Sequence, residues 1–160
     1  MRSIEYETYQ PPATEDEVLK LEKHLGISLP LGYRNYLLTY NGGRVEPCVF
    51  PIANCPRDTH GILSWFFGIN GGEYYDLMDN VRTYSDRVPS NLLPIGEDPG
   101  GNLICLSVLG SDKGTVYFWE REWEVLEGEA PDYSNVYLIA EDFDGLLNSL
   151  AEWPDIPTTS

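Results

Sequence analysis

Basic residues are scarce in this chain. Ten lysines and arginines stand against 26 aspartates and glutamates, so the formal net charge is −16 at pH 7. Nucleic acids and anionic membranes bind proteins through clustered lysine and arginine, which this composition does not supply. We therefore expect neither as a ligand and favour a basic protein as the partner. The alternative is an acidic surface that only keeps the protein soluble.

Long apolar runs and cysteine are also sparse. No stretch approaches the length of a membrane helix, and residues 1–10 lack an apolar signal core, so we expect a cytoplasmic protein. Three cysteines, an odd number, favour free thiols over a disulfide framework. The length of 160 residues predicts one domain over 1–160, with a short polar N-terminal lead-in and a frayed tail from Trp153.

Signatures of metal, cofactor or catalytic sites are missing as well. The spacing of Cys48, Cys55 and His60 does not match the close cysteine pair of a zinc site. The glycine pairs form neither a dinucleotide-binding fingerprint nor a phosphate loop. We therefore predict no metal, no cofactor and no catalysis. An enzyme that acts through these three residues or through a carboxylate pair remains the alternative.

Helix signals occur at four places. Thr14 and Glu17 form a capping box before an apolar repeat, which predicts a helix over residues 15–25 that ends at Gly26. Pro30 suits the first turn of a second helix. That helix ends at Asn41-Gly42-Gly43, and two further helices are predicted over residues 74–86 and from Glu141-Asp142 onwards.

The strongest strand signal lies between residues 92 and 120. Apolar runs at 92–95, 103–108 and 116–119 are separated by two glycine-containing turns. The second and third runs are apolar on both faces, which is typical of a central strand covered on both sides. We predict that this hairpin lies in the middle of a sheet, with helices on one face.

Weaker strand signals complete the fold class. We predict an edge strand over residues 44–52, which contains two prolines, a second strand over 62–69, and a short one over 136–140. With the helices, these elements predict an α+β fold in which helices pack on a central antiparallel or mixed sheet of about five or six strands. The predicted core comprises Leu21, Leu25, Leu37, Ile104, Leu106, Val116, Phe118, Leu146 and Leu147.

Two groups of motifs resemble a known family. The first consists of Leu25-Gly26, Leu29-Pro30, Tyr33, Tyr36-Leu37 and Asn41-Gly42-Gly43. The second consists of Ile95, Asp98, Gly101-Asn102, the apolar run 103–106, Gly114 and Val116-Tyr117-Phe118-Trp119. In this order the two groups resemble the SUKH superfamily, the Smi/Knr-type cell-wall-assembly-regulator domain, over residues 14–150. One departure follows Trp119, where the family often has histidine and this chain has Glu120-Arg121-Glu122.

The resemblance implies a SUKH-like α+β fold and a non-catalytic function. Similar bacterial proteins are mostly immunity proteins of polymorphic toxin systems, which bind a cognate toxin, often a nuclease, and block it. The resemblance therefore implies stoichiometric binding to a basic toxin. The fungal members imply a second possibility, a regulatory scaffold linked to cell-wall or glucan synthesis.

One stretch combines acidic and aromatic residues. Residues 120–144 contain nine acids and one arginine. Aromatic residues among charges are typical of protein interfaces, although a buried aromatic core with a solvated acidic rim is the alternative. We predict that one partner-binding face includes Glu73, Asp76, Glu97, Asp98, Trp119, Glu120, Glu122, Trp123 and Glu124.

Overall fold

A computed structural model describes residues 3–152. The tail from Trp153, predicted above as frayed, lies outside the described residues. The helices are α1 (Glu15–Leu25), α2 (Leu31–Thr39), α3 (Leu77–Tyr84) and α4 (Phe143–Ser149). The strands are β1 (Glu5–Glu7), β2 (Arg44–Glu46), β3 (Val49–Pro51), β4 (His60–Ile62), β5 (Trp65–Phe66), β6 (Leu92–Glu97), β7 (Leu103–Ser107), β8 (Val116–Trp119) and β9 (Val136–Ala140).

The main sheet has five antiparallel strands in the order β5-β6-β7-β8-β9. Strand β7 lies at its centre, and every residue of β7 is buried. Two smaller antiparallel pairs, β1 with β2 and β3 with β4, complete the strands described. The predicted α+β class and the central position of the hairpin are therefore confirmed.

Both faces of this sheet are covered, and helices lie on both. Because side chains alternate along a strand, Phe118 and Trp119 point to opposite faces. The Phe118 ring packs against Phe50 of β3, whereas Trp119 packs against Tyr84 of α3. On the Phe118 face, α4 contributes Phe143, which contacts Phe66. The prediction that all helices share one face was therefore wrong, because α3 packs on the opposite face from α4.

The start of the chain follows the sequence signals closely. Helix α1 has the predicted bounds, and the Thr14 hydroxyl and the Glu17 carboxylate form the predicted capping box. Gly26 ends the helix in the left-handed conformation at φ 68°. Helix α2 ends before Asn41, whose buried side chain hydrogen-bonds the backbone of Pro11 and Ile69. The Asn-Gly-Gly motif thus joins the lead-in to the segment after β5.

The strands between residues 44 and 69 differ from the prediction. The single strand predicted over 44–52 consists of two strands, β2 and β3, which belong to different sheets. Pro47 lies between them, and proline cannot donate a ladder hydrogen bond. The apolar segment predicted as a strand over 62–69 likewise contributes to two elements, the end of β4 and the short strand β5.

The core agrees with the predicted set in most positions. Seven of the nine residues are buried, among them Leu37, Ile104 and Leu106 at 0% exposure. Leu25 and Leu147 are only partly buried and pack at the margin of the core. All three cysteines are free, and only Cys105 is fully buried.

Candidate partner-binding surface

The loop that follows β8 carries four of the nine predicted binding residues, and a fifth, Trp119, is the last residue of β8. It leaves the sheet at Trp119, forms a single 3₁₀ turn at Arg121–Trp123, and returns to the sheet at Val136. Its first five residues, 120–124, lie at the end of the sheet. Ion pairs of Glu120 with Arg57 and of Glu124 with Arg87 hold this segment in place.

Trp119 belongs to the core. Its side chain is 0% exposed, and its ring lies edge-on to Tyr84 with ring centroids 5.7 Å apart. Arg87 covers the same region, with its guanidinium carbon 5.7 Å from the centre of the Trp119 ring. Trp119 therefore offers no surface to a partner in this conformation, and its interactions hold α3 on the sheet.

Glu120 is buried at 5% exposure and forms an ion pair with Arg57. The Arg57 Nε donates to both carboxylate oxygens at 3.0 and 3.1 Å, and its Nη2 donates to Glu120 Oε1 and to the Tyr137 hydroxyl. The hydrogen bond to Glu120 raises the pKa of Arg57. Asn135 also donates to the Glu120 carbonyl at 2.8 Å. Glu120 therefore fixes the loop rather than facing solvent.

We expect Arg57→Met to destabilise the protein by leaving the buried Glu120 carboxylate without a counter-charge. The double variant Arg57→Met with Glu120→Met should be more stable than the single variant, because no buried charge remains. Urea titration of both variants measures this difference. A double variant that is less stable than Arg57→Met alone would contradict the role given to this ion pair.

All three residues of the 3₁₀ turn, Arg121, Glu122 and Trp123, are exposed. The Trp123 side chain is 52% exposed, and the Arg57 guanidinium lies over its ring at 4.3 Å from the centroid. Cation–π contacts of this kind orient an aromatic ring without burying it. Of the two tryptophans predicted as binding residues, Trp123 is the one that a partner can reach.

Glu124 lies on the opposite side of the sheet from Glu120. Its carboxylate accepts two hydrogen bonds from Arg87, at 3.0 Å from Nε and 3.2 Å from Nη2. The Arg87 guanidinium also lies over the Tyr84 ring, 4.7 Å from its centroid. This ion pair connects the loop to the turn that follows α3.

Glu97 is the last residue of β6, and Asp98 begins the turn between β6 and β7. The Asp98 carboxylate accepts hydrogen bonds from the backbone of Gly100 and Asn102 and from the Asn102 side chain, so it shapes the turn. The Asn102 amide oxygen accepts from the backbone N–H of Arg121 at 2.9 Å, which places this turn beside the 3₁₀ turn. The structure therefore brings Glu97 and Asp98 to the same end of the sheet as Glu122.

Burial and the negative charge of Asp98 raise the pKa of the Glu97 carboxyl. Because the folded state then holds this proton more tightly than the unfolded chain, the free energy of unfolding should fall as pH rises above about 4.3, the unfolded value for glutamate. Glu97→Gln should therefore be slightly more stable than the unaltered protein at pH 7, and the difference should vanish near pH 4. Unfolding curves at the two pH values measure this. The exposed Glu73→Gln is the control, and identical pH profiles for Glu97→Gln and the unaltered protein would refute the expectation.

Glu73 and Asp76 lie apart from this group. Asp76 is the N-cap of α3, and its carboxylate accepts from the backbone N–H groups of Gly71 and Asp79. The eight residues of α3 separate it from the Glu124–Arg87 pair by about 12 Å of helix. Glu73 is exposed in the preceding turn. These two acids therefore lie at the far end of α3 and do not join the loop surface.

Three contributors to this surface were not predicted from the sequence. Arg57 is 63 residues from its partner Glu120, and Arg87 is 37 residues from Glu124, so no local pattern links either pair. Leu126 is 74% exposed in the middle of the loop. Only its apolar character within an acidic stretch could have identified it.

The part of the chain that spans residues 3–152 contains neither a metal-binding cluster nor a membrane-spanning helix. Within that range no group of three histidine, cysteine, aspartate or glutamate side chains is placed to hold a metal ion. None of the helices there combines the length and the apolar character needed to cross a bilayer.

Known proteins similar to this chain agree with the motif resemblance. The chain is similar to the "SPbeta prophage-derived uncharacterized protein YokK" of Bacillus subtilis (strain 168). The two are 29% identical over 167 residues, an alignment that covers 95% of this chain and 82% of that protein. The sequence model of the SMI1 / KNR4 family (SUKH-1) matches residues 12–149, which include both motif groups. Because this match extends over most of the sequence, the chain belongs to the SMI1 / KNR4 family (SUKH-1).

Proposed function

We propose that this protein is a cytoplasmic, non-catalytic immunity protein that binds a cognate basic toxin and neutralises it by occlusion. The observation that supports this most strongly is the loop after β8, where exposed acids surround the exposed side chains of Trp123 and Leu126. Acidic rims with apolar or aromatic anchors are typical of protein-binding surfaces. Family membership and the net charge of −16 are consistent with the same function.

The proposed mechanism separates the roles of charge and apolar contact. The acidic surface attracts a basic toxin over a distance, and salt screens this attraction. Once the complex has formed, Trp123 and Leu126 lose contact with water and slow dissociation. The toxin is inhibited because its active surface is covered, so one molecule of this protein inhibits one molecule of toxin.

A co-expression experiment tests this function. A candidate toxin is the protein encoded immediately upstream of this chain's gene. Its expression alone should arrest growth of a host cell, and expression together with this chain should restore growth. Trp119→Ala, which disrupts the core, is the negative control. Continued arrest in the presence of folded, abundant protein would rule out neutralisation of that toxin.

The salt dependence of the binding rates tests whether long-range electrostatic attraction contributes to binding. The association rate constant with the purified toxin should fall steeply as salt concentration rises, whereas the dissociation rate constant should change little. An association rate that does not depend on salt would contradict the proposed role of the acidic surface.

A further inference from the structure

A cleft of about 1100 Å³ lies between the turn after α3 and the loop after β8. Residues 85–88 and Ser90 form one wall, and residues 124–131 form the other. The cleft is on the face of the sheet that Trp119 and Tyr84 cover, because Arg87 contributes to its lining and stacks on both rings. It is far larger than a site for a single ion.

The charged residues that line the cleft are mostly acidic. Four acids line it, Asp86, Glu124, Glu127 and Glu129, with Arg87 as the single base among its lining residues. Glu124 neutralises Arg87 through the two hydrogen bonds described above. Between residues 3 and 152, no ion pair involves Asp86, Glu127 or Glu129. Three carboxylates therefore face the cleft without a counter-charge.

Apolar surface lies among these charges. Leu126 is 74% exposed, and Val125 beside it is half-buried. Ala130 and Pro131 extend the same wall. A small inorganic or organic cation would leave this apolar wall exposed to water, whereas a peptide segment that carries both basic and apolar side chains can cover it.

The loop wall is fixed at both ends. At one end, Glu124 is bound to Arg87. At the other, the Tyr133 hydroxyl donates to Asp112 Oδ2 at 2.9 Å and accepts from Asn91 Nδ2 at 2.7 Å. Between these anchors, the Glu129 N–H closes a turn on the Leu126 carbonyl at 3.0 Å. Binding to a wall that is already ordered loses less conformational entropy than binding to a free loop.

Asp112 is itself held firmly. Ser107 Oγ and Tyr117 Oη donate to its carboxylate at 2.7 and 2.8 Å. Although partial burial acts in the opposite direction, these hydroxyl donors together with that of Tyr133 lower the pKa of Asp112. The Asp112 carboxyl that accepts from Tyr133 is therefore ionised near neutral pH.

We infer that this cleft binds an extended segment of a protein partner in which basic residues flank an apolar side chain. The basic side chains pair with Asp86, Glu127 and Glu129, and the apolar side chain packs on Leu126. This inference rests on the proposed function and adds to it the site of contact and the chemistry of the partner's segment. It assigns the primary contact to the cleft and a peripheral one to Trp123.

A peptide titration followed by NMR tests the cleft without requiring the toxin. The probes are a peptide of alternating arginine and leucine, a second peptide with glutamine in place of each arginine, and spermine. With ¹⁵N-labelled protein, the first peptide should shift the amide signals of residues 85–88, 90 and 124–130. The glutamine peptide and spermine should bind much more weakly, since each lacks one of the two required contacts.

Matched variants locate the site. Glu127→Gln with Glu129→Gln should weaken binding of the arginine–leucine peptide by about tenfold, the sum of two partly exposed charge pairs. Leu126→Ser should also weaken it. Glu5→Gln with Glu7→Gln removes the same charge from β1, beyond the edge strand β5, and should leave binding unchanged.

Three outcomes would overturn the assignment: signal shifts centred elsewhere, equal loss of affinity in the two charge variants, or spermine binding as tightly as the peptide. These outcomes differ from a failure of the proposed function. Toxin neutralisation that is unaffected by the Glu127 and Glu129 changes would refute the cleft as the contact site but not the proposed function. Peptide binding in the cleft by a chain that neutralises no toxin would refute the proposed function but not the cleft as a binding site.

Discussion

Trp119→Ala should lower the free energy of unfolding by about 3–5 kcal/mol, the range for removal of a large buried aromatic side chain. The ring is 0% exposed and contacts Tyr84 of α3, so its loss leaves a cavity between α3 and the sheet. Urea titration followed by circular dichroism measures the change. The same cavity loosens Arg87, and with it one wall of the cleft.

Trp123→Ala is the natural control, because the two tryptophans are four residues apart in the chain and differ in exposure. Its side chain is 52% exposed and makes a cation–π contact with Arg57, so we expect a loss of about 1 kcal/mol or less. Similar losses for the two variants would contradict the placement of Trp119 in the core. Trp123→Ala should nevertheless bind the toxin more weakly than the unaltered protein does, because it remains folded but lacks an exposed contact residue.

Leu106→Ala should lower the free energy of unfolding by about 2–5 kcal/mol through lost transfer energy and the cavity that remains. Leu106 is in the central strand β7, is 0% exposed, and has neighbours on both sides in β6 and β8. Thermal and urea unfolding both report the change. Leu31→Ala removes the same atoms from a side chain that is 72% exposed, and should change stability by less than about 0.5 kcal/mol. Equal stability of Leu106→Ala and the unaltered protein would refute the central position of β7.

Much of the fold could be predicted because its signals are local. A capping box begins α1 and a glycine ends it, and both act through contacts within a few residues. The bounds of this helix were therefore predicted correctly. The β6–β8 region was recognisable because strands that are buried on both faces are continuously apolar. Between residues 44 and 69 this rule is uninformative. Four short strands there belong to three sheets, and their pairing depends on distant partners such as Glu5–Glu7 and Leu92–Glu97.

The binding surface could be predicted only in part. Composition identified the acidic loop and the tryptophans beside it, because both are properties of one stretch of chain. It could not separate Trp123 from Trp119, since burial of Trp119 depends on α3, which comes from an earlier part of the sequence. Nor could it show that Glu120 and Glu124 are held by arginines from distant segments. The acids of this loop that no arginine holds therefore include Glu122 in the 3₁₀ turn and, further along, Glu127 and Glu129.

A stoichiometric inhibition titration tests neutralisation by occlusion most directly. The toxin's activity is measured as this protein is added at concentrations well above the dissociation constant. Occlusion predicts a linear fall in activity that reaches its minimum at one equivalent, together with a complex of that composition by analytical ultracentrifugation. Catalytic inactivation of the toxin by far less than one equivalent, or full activity in the presence of excess folded protein, would contradict the account.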